Sequence, residues 1–122
     1  MTHYDLIIRG GRVLDPETQL DAVADVAVKD GAIAAVGDVA GAADEIIDAG
    51  GLVVAPGFID LHSHGQSLPA DRMQAFDGVT TTLELEVGVL PVARWYDEQA
   101  AIGRVLNYGA ASGWAFARIA TM

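Results

Sequence analysis

The sequence has no cysteine and few basic residues. Without thiols, the chain can form no disulfide and offers no thiolate to a metal. The chain has 7 lysines and arginines in total against 17 aspartates and glutamates, so the formal net charge at pH 7 is −10. Nucleic acids and anionic membrane surfaces are bound by clustered basic side chains. We therefore expect neither a nucleic-acid partner nor a membrane partner.

Long hydrophobic runs are also missing. The apolar stretch at residues 52–59 is interrupted by Pro56 and Gly57 and is far shorter than the roughly 18 residues of a membrane helix. The N-terminus has no basic segment followed by an apolar one, as a secretory signal would have. Hydrophobic residues nevertheless make up 52% of the sequence, which is enough to bury a core. These features predict a folded, cytoplasmic protein.

Residues 1–55 are predicted to be rich in strands. Asp30-Gly31 is a two-residue hairpin turn, because glycine tolerates a positive φ. The strand segments are short, apolar and bounded by turn residues; they are 4–9, 12–15, 25–29, 32–36, 46–49 and 52–55. We expect these strands to be antiparallel, with the last two paired with each other. Together they would form a small β-sandwich segment or half of one.

The pattern changes at residue 56, where strand-like and helix-like segments begin to alternate. Residues 58–61 are predicted to form an apolar strand of the kind that is buried on both faces. Helices are predicted at 69–77 and 91–102, and further strands at 79–87 and 114–119. Alternation of this kind is typical of a parallel α/β sheet.

Residues 56–122 are too short to close a parallel barrel, which takes eight strands and about 250 residues. A parallel sheet with uncovered faces and open edges would be unstable. We therefore expect the chain to be the N-terminal part of a longer protein and to need the remaining C-terminal barrel as its partner. The predicted fold class is α/β: a β-sandwich segment at residues 1–55, then the first two to three βα units of an incomplete TIM-type barrel at residues 56–122.

His62 and His64 are the clearest chemical signal in the sequence. Side chains two positions apart on a strand point to the same side, with their Cα atoms about 6.5 Å apart. Two imidazoles placed this way can converge on one divalent metal ion. The alternative is a pair of surface histidines on an edge strand. Here the pair ends a strand of the buried type, where a parallel barrel places its ligands, and this context favours the metal site.

Glu84 and Glu86 share one side of the next predicted strand. Buried carboxylates are costly unless they pair with a cation or bind a metal. Glu86 lies nearer the carboxyl end and is the first candidate for a third metal ligand; Glu84 is the second, and would otherwise support a ligand. The alternative is that one or both pair with arginines in the barrel. Asp60 shares the parity of the histidines one layer deeper, where it would hold an imidazole or a backbone group in place.

Residues 55–64 (APGFIDLHSH) strongly resemble the first barrel strand of the amidohydrolase superfamily. Residues 76–82 (FDGVTTT) resemble its second strand, and the strand-rich region ending in GGLVVAPG resembles its N-terminal β-sandwich segment. The later segments LELEVG and NYG are most similar to the N-acyl-D-amino-acid deacylase (D-aminoacylase) branch. Dihydroorotase and hydantoinase relatives share the first motif but fit the later segments less well.

The resemblance implies a metal-dependent hydrolase that acts on carbon–nitrogen bonds other than peptide bonds. His62 and His64 would hold a divalent metal ion, expected to be zinc, which activates water and polarises the amide carbonyl. In deacylase-like relatives a side chain of the second strand, often cysteine, can bind the metal, and in this chain Glu86 would take that role. The expected substrate is a small N-acyl amino acid, most specifically an N-acyl-D-amino acid, or a related amide.

The resemblance also implies groups that this sequence lacks. A binuclear centre of this superfamily normally uses histidines of later strands, an aspartate base and often a carbamylated lysine, whereas the other histidine here is His3 and the lysine is Lys29. We therefore expect the chain alone to be inactive and the intact protein to be an enzyme, with a second copy of itself, in a homo-oligomer, among its candidate partners. Two alternatives stay open: a non-catalytic β-sandwich or metal-binding fragment, and a dihydroorotase- or hydantoinase-like cyclic amidohydrolase.

Overall fold

The structure is a computed structural model that describes residues 2–122. The chain divides into two compact units that meet in sequence between Pro56 and Gly57. In the described residues, the first unit is built from strands, and the second alternates strands with helices. None of the helices in this range is long and apolar enough to cross a membrane.

The first unit is a single five-stranded sheet. Its strands are β1 (His3–Asp15), β2 (Leu20–Lys29), β3 (Ala32–Gly37), β4 (Ala42–Asp48) and β5 (Val53–Val54). The order across the sheet is β3-β2-β1-β4, with β5 also paired to β1. β1 is long enough to pair with β4 along its first half and with β5 along its second half. The core of this unit is Ile7, Ala27 and Val39.

The predicted hairpin between β2 and β3 is confirmed. Asp30 and Gly31 both have positive φ angles, 53° and 75°, as a type I′ turn requires. The backbone N–H of Asp30 donates to the Asp5 carboxylate at 2.6 Å, which fixes the turn against β1. The strands on either side pair antiparallel over residues 25–29 and 32–37.

The predicted pairing of the last two strands in this unit with each other is wrong, and so is their predicted antiparallel direction. β4 and β5 each run parallel to β1 instead of pairing with each other. The turn between them closes with a hydrogen bond from Leu52 N–H to the Ala49 carbonyl at 2.8 Å, so the chain continues along β1. The segments 4–9 and 12–15, predicted as two strands, are also one strand, which passes through an irregularity between Ile8 and Gly11.

The second unit is a three-stranded parallel sheet with helices between and after its strands. Its elements are β6 (Phe58–Asp60), α1 (Leu68–Phe76), β7 (Val79–Val89), α2 (Val92–Ile102), β8 (Asn107–Ser112) and α3 (Trp114–Thr121). β7 is the central strand and pairs parallel with β6 and β8. The predicted α/β fold class, a strand-rich segment followed by βα units, is confirmed.

The prediction of a strand at residues 114–119 is wrong. This segment begins α3, and the third strand is β8. The segment of α3 contains three alanines, which favour a helix, between aromatic and apolar residues, which favour a strand. Its composition alone therefore does not separate the two. β8 consists of small and polar residues without a period of two, so its strand conformation depends on pairing with β7, where Leu83 lies opposite Gly109.

The expected burial of residues 58–61 on both faces is not found. Phe58, Ile59 and Leu61 are 68%, 60% and 59% exposed. Among the described residues, β6 has one neighbour in the sheet, β7, so it is an edge strand. Its apolar side chains therefore lack the cover that a fully apolar strand normally receives.

Candidate metal centre

His62 and His64 lie just beyond the end of β6. The strand ends at Asp60, one residue earlier than the predicted 58–61, but His62 still forms an isolated bridge opposite Glu84. Ser63 N–H donates to the Leu83 carbonyl at 3.0 Å, which keeps this segment beside β7. The two imidazoles converge, with 3.0 Å between their Nε2 atoms and ring centroids 4.9 Å apart. The spacing of two thus brings both rings together although the strand is shorter.

Glu86 brings a carboxylate oxygen to the same point. Its Oε2 atom lies 3.0 Å from Nε2 of His62 and 3.0 Å from Nε2 of His64. Ligands of a tetrahedral zinc ion at about 2.0–2.1 Å lie on the order of 3.3 Å from one another. Two imidazole nitrogens and one carboxylate oxygen with this spacing therefore fit a divalent ion such as zinc.

Glu84 lies behind the histidines and is only 7% exposed. Its Oε2 atom is 2.8 Å from Nδ1 of His64. A carboxylate that accepts the Nδ1–H proton fixes the tautomer of the ring and leaves the Nε2 lone pair directed away from it. In this structure, that lone pair faces His62 and Glu86.

The end of β7 keeps Glu84 in its ionised form. Its Oε1 atom accepts backbone N–H groups of Glu86 at 3.2 Å and Val87 at 3.0 Å. Burial alone would raise the pKa of Glu84, but the N–H groups of Val87 and Gly88 and the neighbouring His64 outweigh it and lower the pKa. The side chain is therefore a carboxylate at neutral pH.

Asp60 contacts the backbone of His62 and not the imidazole rings of His62 and His64. Its Oδ1 atom accepts the His62 N–H at 3.0 Å, and its Oδ2 atom accepts Nε2 of Gln74, on α1, at 3.1 Å. The alternative interpretation is that Glu84 or Glu86 pairs with an arginine. Within residues 2–122 neither does so, and both carboxylates face histidines.

A buried cluster around Arg104 was not predicted from the sequence. Arg104 forms an ion pair with Asp71 of α1, and both side chains are fully buried. Nε of Arg104 donates to Asp71 at 2.5 Å, Nη1 donates to Gln66 and Gln99 at 2.8 Å each, and Nη2 donates to Asp71 and to Thr82. The two ionic partners are 33 positions apart, so no local spacing could reveal them.

The hydrogen bonds and the positive charge of Arg104 keep Asp71 ionised. Burial by itself would raise the pKa of Asp71, but the hydrogen bonds and charge of Arg104 outweigh it and lower the pKa. The ring of Tyr108 lies against the guanidinium, with its centroid 5.2 Å away. The cluster therefore holds α1, α2, β7 and the segment after β6 through one arginine.

Comparison with protein families and known proteins gives consistent results. The model of the amidohydrolase family matches residues 45–122. An allantoinase of Escherichia coli O1:K1 is 43% identical over an alignment of 98 positions, and the alignment covers 72% of this chain and 21% of the relative. The chain thus spans about a fifth of the length of this relative.

Solved structures of hydrolases match both units. The N-acyl-D-glutamate deacylase of Bordetella bronchiseptica, crystallised with zinc and a phosphonate inhibitor, is 31% identical with a TM-score of 0.87 over 99% of this chain and 32% of its own. The L-hydantoinase of Arthrobacter aurescens is 25% identical with a TM-score of 0.70 over 86% of this chain and 27% of its own. With its family model matched over more than half of its residues, the chain belongs to the amidohydrolase family.

Proposed function

We propose that this chain provides metal ligands for an amidohydrolase that cleaves carbon–nitrogen bonds other than peptide bonds in small amides. The observation that carries the proposal is the meeting of three donor atoms, from His62, His64 and Glu86, at 3.0 Å. The proposal assigns residues 1–55 to a sandwich segment and residues 56–122 to the start of a barrel. The division of the chain between Pro56 and Gly57 supports that assignment.

Each residue of the site has a distinct role in this proposal. The imidazoles of His62 and His64 and the carboxylate of Glu86 hold a divalent ion, which when bound supplies an activated water and polarises the scissile carbonyl. Glu84 accepts the Nδ1–H of His64 and so keeps the Nε2 atom of that ring available. Asp60 accepts the backbone N–H of His62 and fixes the start of the ligand segment.

We propose zinc as the ion that His62, His64 and Glu86 hold. Two imidazoles and one carboxylate form a donor set that zinc takes in hydrolytic enzymes, with a further position left for water. The deacylase of similar structure was crystallised with zinc, which supports the same choice here.

The substrate that we propose is an N-acyl-D-amino acid. The support is the similarity to the N-acyl-D-glutamate deacylase over 99% of this chain. A hydantoinase-like cyclic amidohydrolase is the second candidate, favoured by the similarity to the L-hydantoinase and by the allantoinase relative. An assay of the intact protein with N-acetylated D- and L-amino acids, hydantoins and allantoin separates the two. Turnover of the N-acetyl-D-amino acids alone supports the deacylase, and turnover of none supports a non-catalytic module.

Glu86→Gln tests the third ligand. The amide keeps an oxygen donor but loses the negative charge, so the affinity for Zn²⁺ falls, as measured by titration of the purified chain. Glu98→Gln is the matched control, because Glu98 is exposed and pairs with Arg94 on the surface of α2. Equal affinities in the two variants would remove Glu86 from the ligand set.

A further inference from the structure

Ser63 lies between the two metal-site histidines and is only 3% exposed. All three of its polar atoms are hydrogen bonded: N–H donates to the Leu83 carbonyl at 3.0 Å, Oγ accepts Nε2 of Gln74 at 3.1 Å, and the carbonyl accepts Nε2 of Gln66 at 2.9 Å. Because one residue joins the two imidazoles, the position of the Ser63 peptide decides how the rings face each other.

Gln66 connects this peptide to the buried arginine. Its Nε2 atom donates to the Ser63 carbonyl, its Oε1 atom accepts Nη1 of Arg104 at 2.8 Å, and its backbone N–H donates to the His64 carbonyl at 3.0 Å. Arg104 has no acceptor, so it can bind only the oxygen end of the amide. Arg104 therefore orients the side-chain amide of Gln66 so that its NH2 group points toward the Ser63 carbonyl.

We propose that Gln66 is a positioning residue for the His62–His64 pair, oriented by Arg104 and acting through the Ser63 carbonyl. The inference rests on the proposed metal site and extends it to a residue that touches neither imidazole. Groups that orient metal ligands typically change metal affinity about tenfold to hundredfold when they are replaced. We expect an effect of that size from Gln66, although its side chain lies outside the ligand set.

Gln66→Glu isolates the proposed contact. The carboxylate still accepts Nη1 of Arg104, so the buried cation keeps its partner, but an oxygen now faces the Ser63 carbonyl where a donor stood. We expect the affinity of the purified chain for Zn²⁺ to fall about tenfold to hundredfold. The absorption spectrum of the Co²⁺ form, which reports ligand geometry, should shift. A cooperative thermal melt of the metal-free variant shows that the chain is still folded, so that the loss of affinity is not a loss of structure.

Gln99→Glu is the matched control. Gln99 accepts the same Nη1 atom of Arg104 at the same 2.8 Å, and in the described residues its side chain forms no hydrogen bond to the histidine segment. The same change of charge at the same donor should leave Zn²⁺ affinity and the Co²⁺ spectrum as in the wild type. If both variants lose affinity equally, the effect is a general one of the arginine cluster, and the inference is wrong.

The wild-type chain and His64→Ala separate this inference from the proposed function. Zn²⁺ binding that depends on His64, together with unchanged affinity in Gln66→Glu, would overturn the role of Gln66 and leave the metal site standing. A wild-type chain that binds Zn²⁺ no better than His64→Ala would overturn the proposed metal site and the role of Gln66 with it.

Discussion

The two units of the chain remove different kinds of side chain from solvent. In the described part of the first unit the buried side chains are apolar; they are Ile7, Val13, Val26, Ala27, Val39 and Ala49. In the second unit most are polar or charged; they are Ser63, Asp71, Thr82, Glu84, Gln99 and the side chain of Arg104, together with apolar Leu106. The candidate metal ligands all belong to the second unit.

This difference predicts how each unit responds to substitution. Apolar packing is non-directional, so small changes in the first unit should cost little. A buried polar group needs its partner, and removal of one member of a buried pair leaves the other unsatisfied. The second unit should therefore be less tolerant, because the same directional bonds that stabilise it also place the candidate metal ligands.

The largest difference between the units is expected for metal binding. His62→Ala or His64→Ala removes one of three converging donors, so the intact protein should lose the metal on dialysis and nearly all hydrolysis. His3→Ala is the control from the first unit, where His3 faces Asp44 at the exposed edge of the sheet. Metal analysis and the amidase assay check this, and full metal content with full activity in both variants would contradict the proposed function.

The next largest effect is expected at the buried ion pair. Arg104→Met leaves the Asp71 carboxylate buried without a cation, which typically costs about 3–5 kcal/mol. Arg12→Met is the matched control in the first unit, because Arg12 pairs with Asp21 in contact with solvent and its loss should change little. Both tryptophans, Trp95 and Trp114, are in the second unit, so their fluorescence during urea denaturation reports the predicted loss there. Amide hydrogen exchange of β1 and β2 reports the stability of the first unit in the Arg12→Met control.

The comparison of units also shows which features could be read from the sequence. The hairpin at Asp30-Gly31 and the convergence of His62 with His64 follow from local rules, a positive-φ turn and a spacing of two. The strand character of residues 107–112 does not, because it depends on hydrogen bonds to β7 and not on a local pattern. The parallel placement of β4 and β5 likewise depends on the length of β1.

The Arg104 cluster could not be predicted from local sequence patterns, and the reason is a different one. Its acceptors come from the segment after β6, from α1, from β7 and from α2, so its environment exists only in the folded unit. Asp71 gave no signal of its own, since an acidic residue in the first turn of a helix is common for its effect on the helix dipole. Long-range buried pairs therefore need the tertiary structure.

A smaller difference between the units is expected on acidification. The folded pKa of Asp71 lies below its unfolded value of about 3.9, so the pair contributes its full stability above that pH and loses it as the pH falls toward the folded pKa. Asp21 in the first unit also has a lowered pKa, but its contact with Arg12 is screened by solvent. Urea midpoints from tryptophan fluorescence should therefore fall below about pH 4. Asp71→Asn should flatten this dependence, and an unchanged slope in that variant would assign the effect to other groups.

The smallest effect is expected in the apolar core of the first unit. Ile7 is fully buried against Ala27 and Val39, and Ile7→Val removes one methylene, which costs about 0.5–1.5 kcal/mol. Ile33→Val is the control, because Ile33 is exposed on β3 and the same change should have no effect there. Because both tryptophans lie in the second unit, amide hydrogen exchange of β1 and β2 is the suitable measurement. A loss in Ile7→Val as large as that in Arg104→Met would mean that apolar packing in the first unit is as intolerant as polar pairing in the second.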